Sequence, residues 1–238
     1  MKKRLFFLLL ACFLLTAQAL ASPLESSENQ HENPQNQQES QENGPEESRV
    51  WPENPFTDVP DWEWYTPLVK EVVEKGLMTG TDLNLFGPND SVTRAMVVVV
   101  LWKLEGSPTP QNSDSFPDVS PDDPVTAWYA ISAAWAKEQK VARGHDDGCF
   151  RGEDPVTREE LAAFLYSYDL YQGTPAAEGF LGMFSDAASV SDWAQVPIRH
   201  AVGMGYFRGD ENGLRPQDTV IRAELAAILL RLLTPAVG

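Results

Sequence analysis

From residue 56 onward, short apolar runs at helical spacing alternate with turn-rich stretches. Tyr65, Leu68, Val69, Val72 and Val73 share one face of a helical repeat, with Lys70, Glu71 and Glu74 on the other. That pattern predicts an amphipathic helix. Gly76 is placed to cap its C-terminus, and Gly80 to Pro88 reads as a loop. A second apolar run goes from Val97 to Leu104 and is hydrophobic all round, as expected of a helix in the middle of a bundle.

The same order of features returns twice. Ile131, Ala134 and Trp135 lead through the loop Gly144 to Phe150 into Leu161, Phe164, Leu165 and Tyr168. Val196, Ile198, Ala201, Val202 and Met204 lead through Gly209 to Pro216 into the run from Leu225 to Leu233. Pro197 belongs in a first turn, where its missing N–H costs little. Each unit opens on a similar string: Phe56-Thr57-Asp58-Val59, Phe116-Pro117-Asp118-Val119 and Phe184-Ser185-Asp186-Ala187. Trp64, Trp128 and Trp193 follow in corresponding places. The second helices start at Thr93-Arg94, Thr157-Arg158 and Ile221-Arg222, and the arginines are spaced by 64 residues (158 − 94 and 222 − 158). A fixed period of this length marks a structural repeat. The chain is therefore expected to be mainly α, with three tandem helix-loop-helix repeats over 56–115, 116–179 and 180–238. One such unit has too little apolar surface to stand alone, whereas three can bury their second helices against one another. The third unit is expected to close the folded part.

The helix starts carry a further signal. Thr157-x-x-Glu160 is a capping box, in which Thr accepts from a first-turn N–H and Glu reaches back to the cap's own N–H. The first repeat has Met96 in place of the Glu, and the third has Ile221 in place of the Thr. Arg94, Arg158 and Arg222 have no such helical task. A cation in the first turn opposes the helix dipole, by about 0.3–1 kcal/mol, so a partner outside the helix is expected. On this reasoning the fold should tolerate loss of the guanidinium.

Composition and charge change the picture at the N-terminal end. Met1-Lys2-Lys3-Arg4, the apolar run Leu5 to Leu15 and Ala19-Leu20-Ala21 read as a signal peptide over 1–21, with Ser22 the expected mature start. Leu9-Leu10-Ala11-Cys12 faintly resembles a lipoprotein cleavage site, but the apolar run continues past Cys12. No stretch is long enough for a membrane span. Residues 22–55 are rich in Asn, Gln, Glu and Ser and nearly free of apolar residues, which predicts a disordered acidic linker. Once the leader is removed Cys149 is the one cysteine left, so no internal disulfide is expected. A net charge of −17 on an exported chain argues against a nucleic-acid partner.

These strings strongly resemble the S-layer homology (SLH) module. The opening Phe-x-Asp-Val, the Trp, the Gly-rich loop ending in Phe-x-Pro and the Thr-Arg-Ala-Glu helix start together carry the resemblance, over about residues 56–233. It implies a pseudo-threefold arrangement with a central three-helix bundle and ligand grooves between neighbouring repeats. It implies a secreted protein of the bacterial cell surface, held non-covalently to a secondary cell wall polymer, often a pyruvylated, anionic saccharide. The family's ligand-contacting arginine falls on Arg94, Arg158 and Arg222, its opening Asp on Asp58, Asp118 and Asp186, and its Trp on Trp64, Trp128 and Trp193. The chemistry is coherent: a guanidinium fork matches a carboxylate, an indole offers an apolar face to a sugar ring, and Asp accepts from hydroxyls. Each position also has a structural alternative, namely core packing for the Trp residues, a turn or cap for the Asp residues, and an ion pair to a neighbouring repeat for the Arg residues. Because the cap residues differ, and because Gly87 stands where Arg151 and Arg215 stand in the other loops, the grooves are expected to be unequal.

Other functions find less support. His31, His145 and His200 stand beside no nucleophile in a recognisable motif, so no enzyme is expected. Asp146-Asp147-Gly148 and Asp210-Glu211-Asn212-Gly213 miss the spacing of an EF-hand loop and read as turns, so no metal or other cofactor is expected. The remaining alternative is an exported protein–protein adaptor or coat component that docks on another surface protein.

Overall fold

The computed structural model describes Trp51, residues 53–112 and residues 114–234. The expected signal peptide, with Cys12, and nearly all of the expected linker, with His31, lie outside these residues. Within them are six α-helices: α1 (Thr66–Glu74), α2 (Arg94–Leu104), α3 (Ala127–Glu138), α4 (Arg158–Gln172), α5 (Gln195–Gly203) and α6 (Arg222–Leu233). No strand forms among the described residues; extended backbone meets only in isolated bridges.

Helices pair across the repeats rather than within them. The second helix α2 packs on α3 of the next repeat, α4 packs on α5, and α6 returns to α1. The cycle closes after three units, which makes the arrangement pseudo-threefold. The three second helices form the central bundle. Ala95, Val98 and Leu101 of α2, Leu161 and Leu165 of α4, and Leu225 and Leu229 of α6 are all at most 1% exposed. The all-round apolar run read in the sequence is thus explained by burial on every side.

A ring of backbone hydrogen bonds sets the register of the bundle. Val92 N–H donates to Val220 O at 2.8 Å, Val156 N–H to Val92 O at 2.9 Å, and Val220 N–H to Val156 O at 3.0 Å. The next two N–H groups of each central helix find partners in a neighbouring loop. Arg94, Arg158 and Arg222 donate to Asp154, Asp218 and Asp90, and Ala95, Glu159 and Ala223 donate to Gly152, Pro216 and Pro88. A helix start leaves its first N–H groups without intrahelical partners, and here the adjacent repeat supplies them. Thr157 and Glu160 close the full capping box of α4, at 3.3 and 2.9 Å. The first repeat keeps the Thr93 arm to Met96 N–H, and the third keeps the Glu224 arm to Ile221 N–H. A single repeat therefore lacks both an apolar partner and partners for its helix start.

A buried polar cluster ties α5 to α4. His200 and Asp169, each 1% exposed, meet at 2.8 Å, and Tyr206 OH donates to the same carboxylate oxygen at 2.8 Å. Ala177 N–H donates to His200 Nδ1 at 3.0 Å, so the ring proton faces Asp169 from Nε2. The cluster holds the segment between repeats two and three. At the other end, packing begins ahead of Phe56: Trp51 is buried and lies edge-on to Phe56 at 5.9 Å. An aromatic side chain carries enough apolar area to dock a segment whose composition is otherwise polar.

Candidate binding grooves

The opening aspartates are loop anchors. Asp58 accepts from Phe86 and Gly87 N–H at 2.8 and 2.7 Å, and Asp118 from Phe150 and Arg151 N–H at 2.7 Å each. Asp186 accepts from Leu214 and Arg215 N–H at 2.8 and 2.6 Å. Burial would raise the Asp186 pKa, but the two backbone donors and the nearby Arg158 outweigh it and hold the carboxyl below its usual range. Each aspartate thus fixes the end of its own loop, where Gly87, Arg151 and Arg215 all adopt positive φ.

The same loop ends receive the arginines. Arg94 Nε donates to Phe150 O at 2.9 Å, Arg158 Nε to Leu214 O at 2.7 Å, and Arg222 Nε to Phe86 O at 2.9 Å. Every one of these bonds joins a repeat to the next around the ring. Each guanidinium also lies over an aromatic face: Arg94 over Phe150 and Phe164, Arg158 over Phe207 and Arg222 over Phe86. The three residues are only 5–6% exposed. Burial lowers their pKa values, and for Arg94 and Arg158 the facing Glu160 and Glu224 push back. All three remain cations at neutral pH. The partner outside the helix is therefore the neighbouring loop. The expectation that the fold tolerates loss of the guanidinium does not fit this burial, because removal would strand carbonyls and a carboxylate.

The tryptophans lie outside the core. Trp64, Trp128 and Trp193 are 58%, 52% and 56% exposed. Trp64 and Trp128 stand edge-on to Tyr65 and Tyr129, at 5.5 and 5.0 Å. Trp193 lines a groove of about 900 Å³ with Arg94 beneath it. That groove draws on all three repeats: Arg94 from the first, Arg143, His145 and Tyr166 from the second, and Trp193 and Val196 from the third. The structure thus brings together one of the expected Arg–Trp combinations and keeps the aspartates behind the loops. Sequence reasoning passed over Arg143, Tyr166 and Ser167. The signal for Arg143 was its place directly before Gly144, where the other repeats have Thr79 and Arg208.

The surroundings of the arginines differ. Arg94 faces Glu160 at 3.5 Å, and Arg151 turns away to Asp147 at 2.8 Å. Arg158 faces Glu224 at 3.6 Å, but Arg215 also holds Glu224, at 2.6 Å. Arg231 then donates to Tyr206 O at 2.8 Å, whereas Ser167 occupies the matching place in α4. Arg222 has the Met96 sulfur at 3.9 Å in place of a carboxylate. The acidic loops serve as turns: Asp147 accepts from Cys149 N–H and Asp210 from Asn212 N–H.

The family model for the S-layer homology domain matches residues 55–95, 115–162 and 184–226. The chain belongs to the S-layer homology domain family. Modules of this family anchor proteins to the cell wall. The SLH repeats are similar to a part of several larger proteins. The endoglucanase of Bacillus sp. (strain KSM-635) is 29% identical over 75% of this chain and 19% of its own length. The cellulosome-anchoring protein of Acetivibrio thermocellus is 30% identical over 63% of this chain and 33% of its own. The S-layer protein sap of Bacillus anthracis is 27% identical over 74% of this chain and 21% of its own. The chain thus spans between a fifth and a third of these relatives, and the enzyme among them matches through its SLH part.

Proposed function

We propose that this SLH protein is exported and anchors itself to the bacterial cell wall, without catalysis, by binding an anionic saccharide of a secondary wall polymer in the grooves between its repeats. The observation that carries the reading is the groove at Arg94, where an exposed indole and cationic side chains line one cavity of about 900 Å³. Trp193 offers the apolar face of a pyranose a surface, and guanidinium groups suit a pyruvyl carboxylate. Arg94, Arg158 and Arg222 form the groove floors, Trp64, Trp128 and Trp193 the faces, and Asp58, Asp118 and Asp186 act at one remove by fixing the loops. Among the described residues no helix is long and apolar enough to cross a membrane, so a saccharide contact would hold the folded part at the wall.

The test is co-sedimentation of the protein with purified cell wall, before and after the secondary polymer is stripped. Binding lost on stripping supports the reading. Binding that survives stripping contradicts it and points to another partner.

A further inference from the structure

The groove above Arg94 contains two kinds of arginine. Arg94 itself is engaged: Nε bonds Phe150 O at 2.9 Å, Nη2 bonds Arg143 O at 3.4 Å, and Nη1 faces Glu160 at 3.5 Å. Rings on two sides, Phe150 and Phe164, fill the remaining space at 5.2 Å each. A ligand carboxylate at this guanidinium would compete with Glu160 for the same charge. Arg143 is different. It lines the same groove, is exposed, and has no hydrogen-bond or ion-pair partner for its side chain among the described residues.

The Arg143 backbone is nevertheless held in place. Arg94 grips its carbonyl from the first repeat. The following Gly144 sits where a Cβ would come within 2.7 Å of Gly148 O, so the loop turns tightly at that point. The fixed backbone keeps the free fork at the groove, and its planar geometry loses less freedom per hydrogen bond to a carboxylate than an ammonium would.

We infer that Arg143 is the groove's contact for the ligand's carboxylate, and that Arg94 is a positioning residue that holds Arg143 and the loop. The inference rests on the anchoring function proposed above and names the side chain that reads the anionic substituent of the saccharide. It also ranks the junctions. The first repeat has Thr79 at this position and so lacks the cation. The third has Arg208, but there the Arg231 arm lies on the neighbouring carbonyl of Tyr206.

The experiment is calorimetric titration of the full chain with a pyruvyl-ketal saccharide and with its methyl ester, alongside a melting curve on each sample. Wild type is expected to prefer the free acid. Arg143→Ala should weaken binding of the acid by about tenfold or more, with little change for the ester and an unchanged melting temperature. Arg143→Lys should restore part of the preference, because an ammonium keeps the charge and loses the fork. Arg199→Ala removes an exposed arginine of α5 outside the groove and should bind as wild type. If wild type binds and prefers the acid while Arg143→Ala is unchanged, this inference falls and the anchoring reading stands. If wild type binds neither saccharide, both fall together.

Discussion

The junction of repeats one and two and the junction of repeats two and three share a clamp and differ around it. In both, an arginine at a helix start donates Nε to the loop end of the next repeat, and in both a glutamate of the next helix faces it. Around Arg94, Glu160 has no second arginine among the described residues, Ser167 is short, and a groove lies open. Around Arg158, Arg215 takes Glu224 at 2.6 Å and Arg231 bonds Tyr206 O. The clamp joins the repeats and recurs, whereas the residues beside it differ. One scaffold can thus present unequal surroundings at its junctions without any change of fold.

The largest effect that separates the junctions should come from the clamps themselves. Arg94→Ala removes the cation from Glu160, which keeps its bond to Thr157 N–H, and leaves two carbonyls without their donor, and is expected to cost about 3 kcal/mol. Arg158→Ala should cost roughly 1 kcal/mol less, since Arg215 still holds Glu224. Urea midpoints of the two variants decide the matter, and equal losses would mean that the second arginine contributes nothing.

Acid should act on the Asp186 anchor of the second junction. Its folded pKa is lowered, so its stabilisation is present above the unfolded value of about 3.9 and is lost as pH falls through the folded value. Melting temperature should fall with decreasing pH below about pH 4, and Asp186→Asn should flatten part of that slope. An unchanged slope in the variant would remove Asp186 from the account.

Arg231→Ser gives the third repeat the residue that α4 has at Ser167. Losing the bond to Tyr206 O should cost about 1 kcal/mol, and the number of saccharides bound per chain should rise. Stoichiometry that stays the same would show that the arm does not limit binding at this junction.

The smallest difference concerns the caps. Thr157→Ala should lower stability by about 1 kcal/mol with little effect on saccharide affinity. Ile221→Thr should raise stability by a similar or smaller amount, because it completes the half box that Glu224 already forms. Thermal melts of the two variants should move in opposite directions.

What the residues alone made legible was local. The helix starts, the capping box and the buried run of α2 depend on neighbours within a turn or two, so their pattern is written in consecutive residues. The oddity of Arg94, Arg158 and Arg222 was legible as well, since a first-turn cation conflicts with the dipole. Their partners were not. Arg222 meets Phe86 across 136 positions, and nothing in either string announces the meeting. The tryptophans show the same limit: an indole suits a core or a groove equally well, and the pairing of α1 with α6, α3 with α2 and α5 with α4 leaves Trp64, Trp128 and Trp193 facing outward. The place of Arg143 before the loop glycine was legible, but its meaning emerges only once Arg94 is seen to hold its carbonyl.

The junction at Arg94 should be the one that takes a carboxylate-bearing saccharide first. Indole N–H resonances of the full chain, followed by nuclear magnetic resonance during titration with the pyruvyl-ketal saccharide and assigned with Trp193→Phe, test it directly. The Trp193 signal should shift at the lowest saccharide concentration, ahead of Trp64 and Trp128. Saturating shifts of Trp64 or Trp128 with Trp193 unmoved would contradict it.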